Sequence, residues 1–190
     1  EMPAVAVTDH GNLFGAVGFY EAARKKGVKP IIGCEMYVSR TSRHDRDPRT
    51  ARPYHLIVLC ENQTGYQNLV KLVSAGYLDG FYYKPRIDKE ILAAHSEGLI
   101  GLSGCLNGEV SSNLLANHYD VAEKAAVELR DIFSEDRFFL EVQDQGLVRQ
   151  RQIIPDLIRM ADRTGIPAVA TNDCHYMGQD DSRAHDVLLC

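Results

Sequence analysis

The 190-residue chain is long enough for one domain with a full core, and its 45% hydrophobic and 25% charged residues match an ordinary globular protein. A formal net charge of −5 argues against coating nucleic acid through bulk charge, though not against local contact. No apolar run reaches the ~18 residues that span a bilayer and no secretory leader is evident, so a membrane or secreted protein is set aside for a cytoplasmic one.

Glu1-Met2-Pro3 runs straight into a strand expected over 4–7, with no polar lead-in. A helix is expected over 13–26, stopped by Gly27, then a strand over 30–38 and a polar loop to Pro53. A third strand follows over 55–59, and a helix over 66–77 carries Leu69, Val70, Leu72 and Val73. The second half repeats the scheme: strand 99–102, short helix 109–116, and helix 121–133 with Val121, Ala125, Leu129 and Ile132 at helical spacing. Strand 138–142, helix 149–163 and strand 167–171 complete it. Asp186-Val187-Leu188-Leu189-Cys190 stops in mid-pattern, so the chain reads as an internal segment of something longer.

Near-continuous apolar strands separated by helices indicate an α/β fold with a parallel sheet covered on both faces. No GxGxxG or GxxxxGK loop follows a strand, which lowers the nucleotide-binding reading and leaves a (β/α) barrel ahead of a doubly wound sheet. The five cysteines (Cys34, Cys60, Cys105, Cys174 and Cys190) are odd in number, scattered and without a CxxC pair, as in a reduced chain.

The strands end on ligand-type residues. They run into Thr8-Asp9-His10-Gly11, into Cys34-Glu35, into Ser103-Gly104-Cys105 and into Asn172-Asp173-Cys174-His175. In a parallel barrel the C-terminal strand ends converge on one mouth, so four strands send His10, Glu35, Cys105, Asp173 and His175 to one place. Imidazole, thiolate and carboxylate together suit zinc, or less specifically manganese or iron. Several carboxylates could bridge more than one ion and so support attack on a phosphate ester. Each feature has a plainer reading: an Asp-His after a strand can be a turn or a cap, and Cys105 a small buried residue. Glu35 inside an apolar run is harder to explain away, because a buried carboxylate is costly without a partner. His55, at the start of its strand, would face the wrong mouth of a simple parallel barrel, and spacing alone makes it a capping or core histidine.

The stretches TDHGNLFGAVGFYEAARKKGVKPIIGCEMYV, YHLIVLCENQTGYQNLVKLVS, GFYYKPRID, GLIGLSGCLNGEV, FFLEVQDQGL and GIPAVATNDCHY, in this order, resemble the PHP (polymerase and histidinol phosphatase) domain of bacterial DNA polymerase III alpha subunits. The resemblance implies an irregular seven-stranded (β/α) barrel over residues 1–190, truncated at both ends and without a polymerase palm. It implies a cluster of up to three divalent ions, whose ligands fall by position on His10, Glu35, His55, Cys105, Asp173 and His175. It thereby makes His55 a ligand, with Glu35 and Asp173 as the catalytic, metal-bridging carboxylates. A His-x-His pair and an aspartate of the family's first strand would lie before Glu1, leaving the fragment short of that strand and of those ligands.

The function implied is 3′–5′ exonuclease hydrolysis within a DNA-directed DNA polymerase of the bacterial cytoplasm. Its partners would be DNA, the remainder of the alpha subunit and other replisome subunits. The alternatives are a structural scaffold that docks a separate proofreading subunit and, more weakly, a stand-alone PHP phosphatase. Arg40, Arg43, Arg46, Arg49 and Arg52 recur every third residue in a loop and are candidate DNA contacts, the plainer reading being a solvated connection. Gly80-Phe81-Tyr82-Tyr83-Lys84-Pro85-Arg86 could stack on a base, although a packed loop is the better reading.

Overall fold

The computed structural model describes residues 2–188, so Glu1 and the Leu189–Cys190 end of the last apolar pattern lie outside the described residues. Seven strands form one curled sheet: β1 (Ala4–Val7), β2 (Lys29–Val38), β3 (Tyr54–Cys60), β4 (Arg86–Ile87), β5 (Leu99–Leu102), β6 (Phe138–Val142) and β7 (Ala168–Ala170). Their order is β1-β2-β3-β5-β6-β7, with β4 on β2. Among the described residues β1 pairs only with β2 and β7 only with β6, which gives a half-barrel of the expected irregular type, lacking a strand.

The sheet is not parallel throughout. β1–β2, β2–β4, β5–β6 and β6–β7 are parallel, whereas β3 runs antiparallel to both β2 and β5. A parallel return needs a crossover, usually a helix. No α-helix separates β2 from β3, so the chain turns back at the end where β2 finishes. The start of β3 therefore lies where the parallel strands end.

The helices are α1 (Ala16–Lys25), α2 (Gln63–Leu78), α3 (Lys89–Ala94), α4 (Glu109–Leu115), α5 (Tyr119–Phe133), α6 (Val148–Thr164) and α7 (Ser182–Leu188). Helix α1 starts later than its periodicity suggests because the Asn12 side chain accepts from the Phe14 amide at 2.9 Å, holding a turn there. Helix α2 starts earlier, since Asn62 caps the Gly65 amide at 3.0 Å. The six-residue α3 and two-residue β4 are too short to show a period.

Side chains alternate across the strands. Cys34, Met36 and Val38 of β2, Leu56 and Val58 of β3, and Phe138 and Leu140 of β6 face the helices and join Leu69, Leu72, Leu129, Leu157 and Met160 in the core. Each fully buried Leu or Phe there contributes roughly 1.5–3 kcal/mol. The opposite set, with Glu35, Ile57, Leu59, Ile100, Leu102, Phe139, Glu141 and Val169, lines a cavity of about 860 Å³ on the concave face. The sheet is thus packed on one face, and its other face opens into the cavity.

Candidate metal centre

β1 continues past Val7 as a single bridge that places His10 beside Glu35. The Glu35 amide donates to Asp9 O at 3.0 Å, and the Gly11 amide donates to Glu35 O at 2.9 Å. Gly11 has φ +67°, and a Cβ there would come within 2.8 Å of Pro85 and 3.0 Å of the Tyr37 ring. Glycine therefore permits the turn that sets His10 over β2.

Glu35 is buried, and its carboxylate faces two imidazoles. His10 Nδ1 lies 3.6 Å from Oε2, and His55 Nδ1 is in direct contact with Oε1. His55 reaches it because β3 is antiparallel: Tyr37 pairs with His55 and Glu35 with Ile57, so both side chains project to the cavity face near the mouth. One ligand atom each from His10, Glu35 and His55 can be chosen so that all three lie within 4.8 Å of one another, a set that could hold a metal ion. Tyr37 packs edge-on against His55 and is stacked near His10, with centroids 5.3 and 6.1 Å apart.

Cys105 enters from the loop after β5, its Sγ 3.7 Å from His55 Nδ1. Gly104 shapes that loop: φ is +82°, and a Cβ would lie 2.6 Å from His55 O. Burial pushes the Cys105 thiol up to about 11, with Glu35, Asp173 and Glu141 acting in the same direction. A nearby cation would reverse that balance, because the thiolate is the form that binds metal.

Asp173 and His175 follow β7. Asp173 has φ +48°, and His175 Nδ1 sits 2.8 Å from its backbone oxygen and 3.7 Å from its Oδ1. The His175 ring is 5.6 Å from that of His10. Burial raises the Asp173 carboxyl's pKa; the imidazoles oppose this and Glu35 adds to it. Asp173 and His175 line the same cavity as His10 and Glu35, but lie outside the tight set of three.

Three cavity residues were not singled out as site residues from the sequence. Glu141 is buried in β6, where its carboxyl pKa is raised by burial. Its sequence signal, a carboxylate within an apolar run, is the one that exposed Glu35. Asp9 and His185 also line the cavity, and the His185 ring is 5.6 Å from that of His175.

The arginine loop is tied down. Arg43 pairs with buried Asp88 at 2.9 Å, and Arg46 donates to the carbonyls of Arg43 and Asp79. Arg49 pairs with Asp47 beside it. Arg40 lies over the Tyr54 ring, 4.3 Å from its centroid, and Arg52 donates to Asn107 Oδ1 at 2.9 Å, next to the Cys105 loop. In the 80–86 segment Arg86 is fully buried and donates to Asp45 O, while the Arg46 and Arg86 guanidinium groups lie over the Tyr82 ring. Tyr82's cationic neighbours are thus the protein's own, as a packed loop requires.

A family model described as PHP domain matches residues 1–145. The chain is 52% identical over 189 residues to the DNA polymerase III subunit alpha of Treponema pallidum, covering 98% of this chain and 16% of that protein. It is 52% identical over 192 residues to that of Thermus aquaticus, with 100% and 16% covered. The subunit of Borreliella burgdorferi is 44% identical over 191 residues, with 100% and 17% covered. The chain thus spans about a sixth of the length of these relatives. Among the described residues no helix is long and apolar enough to cross a membrane.

Proposed function

The chain belongs to the PHP domain family, and from that premise we propose that it is the metal-binding segment of a bacterial DNA polymerase III alpha subunit, supporting 3′–5′ hydrolysis of a DNA end. The observation that carries this reading is the meeting of His10, Glu35 and His55, with Cys105 3.7 Å from His55. The donor set fits a divalent metal: two imidazoles, a buried carboxylate and a thiol meet where burial and neighbouring acids oppose thiol ionisation. His10, Glu35, His55, Cys105, Asp173 and His175 would hold up to three ions, zinc suiting the mixed set best and manganese or iron being the alternatives. When bound, such ions would supply Lewis-acid activation of water and neutralise charge on a phosphodiester.

The residues have separable tasks. Glu35 is in direct contact with His55 Nδ1 and lies 3.6 Å from His10 Nδ1, so the three would share an ion. Glu35 and Asp173 would be the bridging carboxylates, and the half-open cavity between them would admit a strand end. Arg40, over the Tyr54 ring, and Arg52, on the neutral Asn107, would guide its phosphates, while Arg43 and Arg49 are paired with Asp88 and Asp47 and Arg46 with backbone carbonyls. The partners on this reading are DNA, the rest of the alpha subunit and other replisome subunits, in the bacterial cytoplasm.

A second reading, a metal-stapled scaffold that docks a separate proofreading subunit, draws support from the elements involved. The six candidate ligands sit on or directly after β1, β2, β3, β5 and β7, so a cation would cross-link most of the sheet. The test is metal content and digestion of a mispaired 3′ end by the intact polymerase subunit, with and without His175→Ala. Metal with digestion that the substitution abolishes supports the enzyme. Metal with intact DNA supports the scaffold, and absence of metal overturns both.

A further inference from the structure

We propose that Glu141 is a positioning residue of this centre, tying the β5 loop that carries Cys105 to the β7 tail that carries Asp173 and His175, without being a ligand itself. The inference rests on the metal-binding reading above and concerns how the chain holds that site.

Both carboxylate oxygens of Glu141 are already engaged. Oε2 accepts from the Gly104 amide at 3.1 Å, one residue before Cys105. Oε1 accepts from Thr171 Oγ1 at 2.5 Å, two residues before Asp173, and from Gln143 Nε2 at 2.9 Å. The Glu141 amide in turn donates to Ser103 Oγ at 2.8 Å. One buried side chain on β6 thus reaches both ligand-bearing segments. A carboxylate this enclosed is costly unless its oxygens are satisfied, and these donors satisfy it. Its acceptor bonds are also stronger than those of a neutral group.

The β7 tail has particular need of such an anchor. β7 is three residues long and, among the described residues, pairs on one side only. Beyond it, the tail is tied by Thr171 N to Val142 O at 3.1 Å, Gln145 Nε2 to Asn172 O at 2.9 Å, a longer bond from Gln143 Nε2 to Thr171 Oγ1 at 3.4 Å, and ring contacts of His175 with His10 and His185. Replacing Glu141 with Gln substitutes an NH₂ for one acceptor oxygen, so either the Gly104 amide loses its acceptor or Thr171 Oγ1 and Gln143 Nε2 lose the one they share.

The experiment titrates Co²⁺ into the purified chain and into Glu141→Gln, Thr171→Val, Thr171→Ser and Leu129→Ala, the last a core change away from the mouth. Glu141→Gln and Thr171→Val are expected to weaken Co²⁺ binding by roughly 10–100-fold and to lower the Cys105 thiolate-to-cobalt absorption. Thr171→Ser, which keeps the hydroxyl, and Leu129→Ala should leave both unchanged. In the metal-free chain, amide exchange at Gly104 or over 172–175, whichever side loses its acceptor, should quicken at least about tenfold in Glu141→Gln, and not elsewhere. Wild-type cobalt affinity and absorption in Glu141→Gln would overturn the proposal, as would exchange unchanged both at Gly104 and over 172–175. Should that variant fail to fold, the Thr171→Val and Thr171→Ser contrast decides in the same way. If the wild-type chain takes up no metal, metal content of the intact polymerase subunit decides the metal-binding reading, and the exchange arm still decides whether Glu141 couples the two segments.

Discussion

The candidate metal centre and the arginine loop are both crowded with charge, yet their carboxyl groups shift in opposite directions. In the centre, burial raises Glu141 and Asp173 and pushes the Cys105 thiol up to about 11. Among the described residues no Lys or Arg is recorded in an ion pair with Glu35, Glu141 or Asp173. In the loop, hydrogen bonds from Thr41, the Asp47 amide and Thr50 hold Asp45 down to about 2, and the Arg49 side chain lowers Asp47. Burial opposes ionisation of Asp88 but is outweighed by the Arg43 and Ile91 amides and the Arg43 guanidinium. Charge that the fold neutralises internally belongs to architecture. Charge left without a counter-charge, and oriented into a cavity, creates an electrostatic demand for a cation.

The largest effect should come from breaking the loop's internal settlement. Asp88→Ala strands Arg43 beside a buried site, and unfolding in urea should show a loss of about 3–5 kcal/mol. Metal affinity at the mouth should not follow it. A loss below about 1 kcal/mol would show that the loop is not held as the comparison requires. Next comes Glu35→Gln, which should weaken metal binding by at least about 100-fold in calorimetric titration. The metal-free protein should lose less stability than in Asp88→Ala, because the removed charge also opposed ionisation of Cys105 and Asp173.

Much of this contrast was legible in the sequence. His10, Cys105, Asp173 and His175 shortly after strands and Glu35 within β2 point to a converging mouth, because chain direction and the period of two decide where each side chain points. His55 was readable only through the family resemblance. Its role depends on β3 running antiparallel, and strand direction leaves no trace in hydrophobic periodicity. Glu141 carried the same local signal as Glu35, but its hydrogen-bond partners Gly104 and Thr171 are 37 and 30 residues away and no local pattern names them. The arginine loop shows the converse limit. A repeat of cations is visible at once, whereas their partners Asp88 and Asp79 lie in other segments.

The two regions should also part in their response to pH. A carboxyl group whose pKa is raised by folding stabilises the folded state fully below its ordinary value, and that contribution is lost as pH rises through the raised value. Glu141 and Asp173 therefore cost the metal-free chain stability as pH climbs above 4.5 and 3.8. Asp45 and Asp88 act the other way: their contribution is present above 3.8 and is lost as pH falls, for Asp45 through about 2. The metal-free melting temperature should peak in weak acid and decline on both sides. Saturating metal should flatten the alkaline decline, since a cation favours the ionised carboxylates. A profile that keeps rising to neutral pH without metal would break the comparison.

The smallest expected effect separates the arginines from one another. Arg49 is 88% exposed on its side chain and held by Asp47, so Arg49→Ala should leave the unfolding midpoint and metal affinity unchanged. It should also leave the salt dependence of single-stranded DNA binding alone, because a phosphate would first have to displace the Asp47 carboxylate from the guanidinium. Arg52 is different. Its side chain leans on the neutral Asn107 Oδ1 beside the Cys105 loop, so its charge remains available. Arg52→Ala should lower the slope of log affinity against log salt by about 0.7, the contribution of one phosphate on a single strand. If both substitutions lower the slope equally, internal pairing does not withdraw a cation from DNA, and the loop would be a nucleic-acid contact along its whole length.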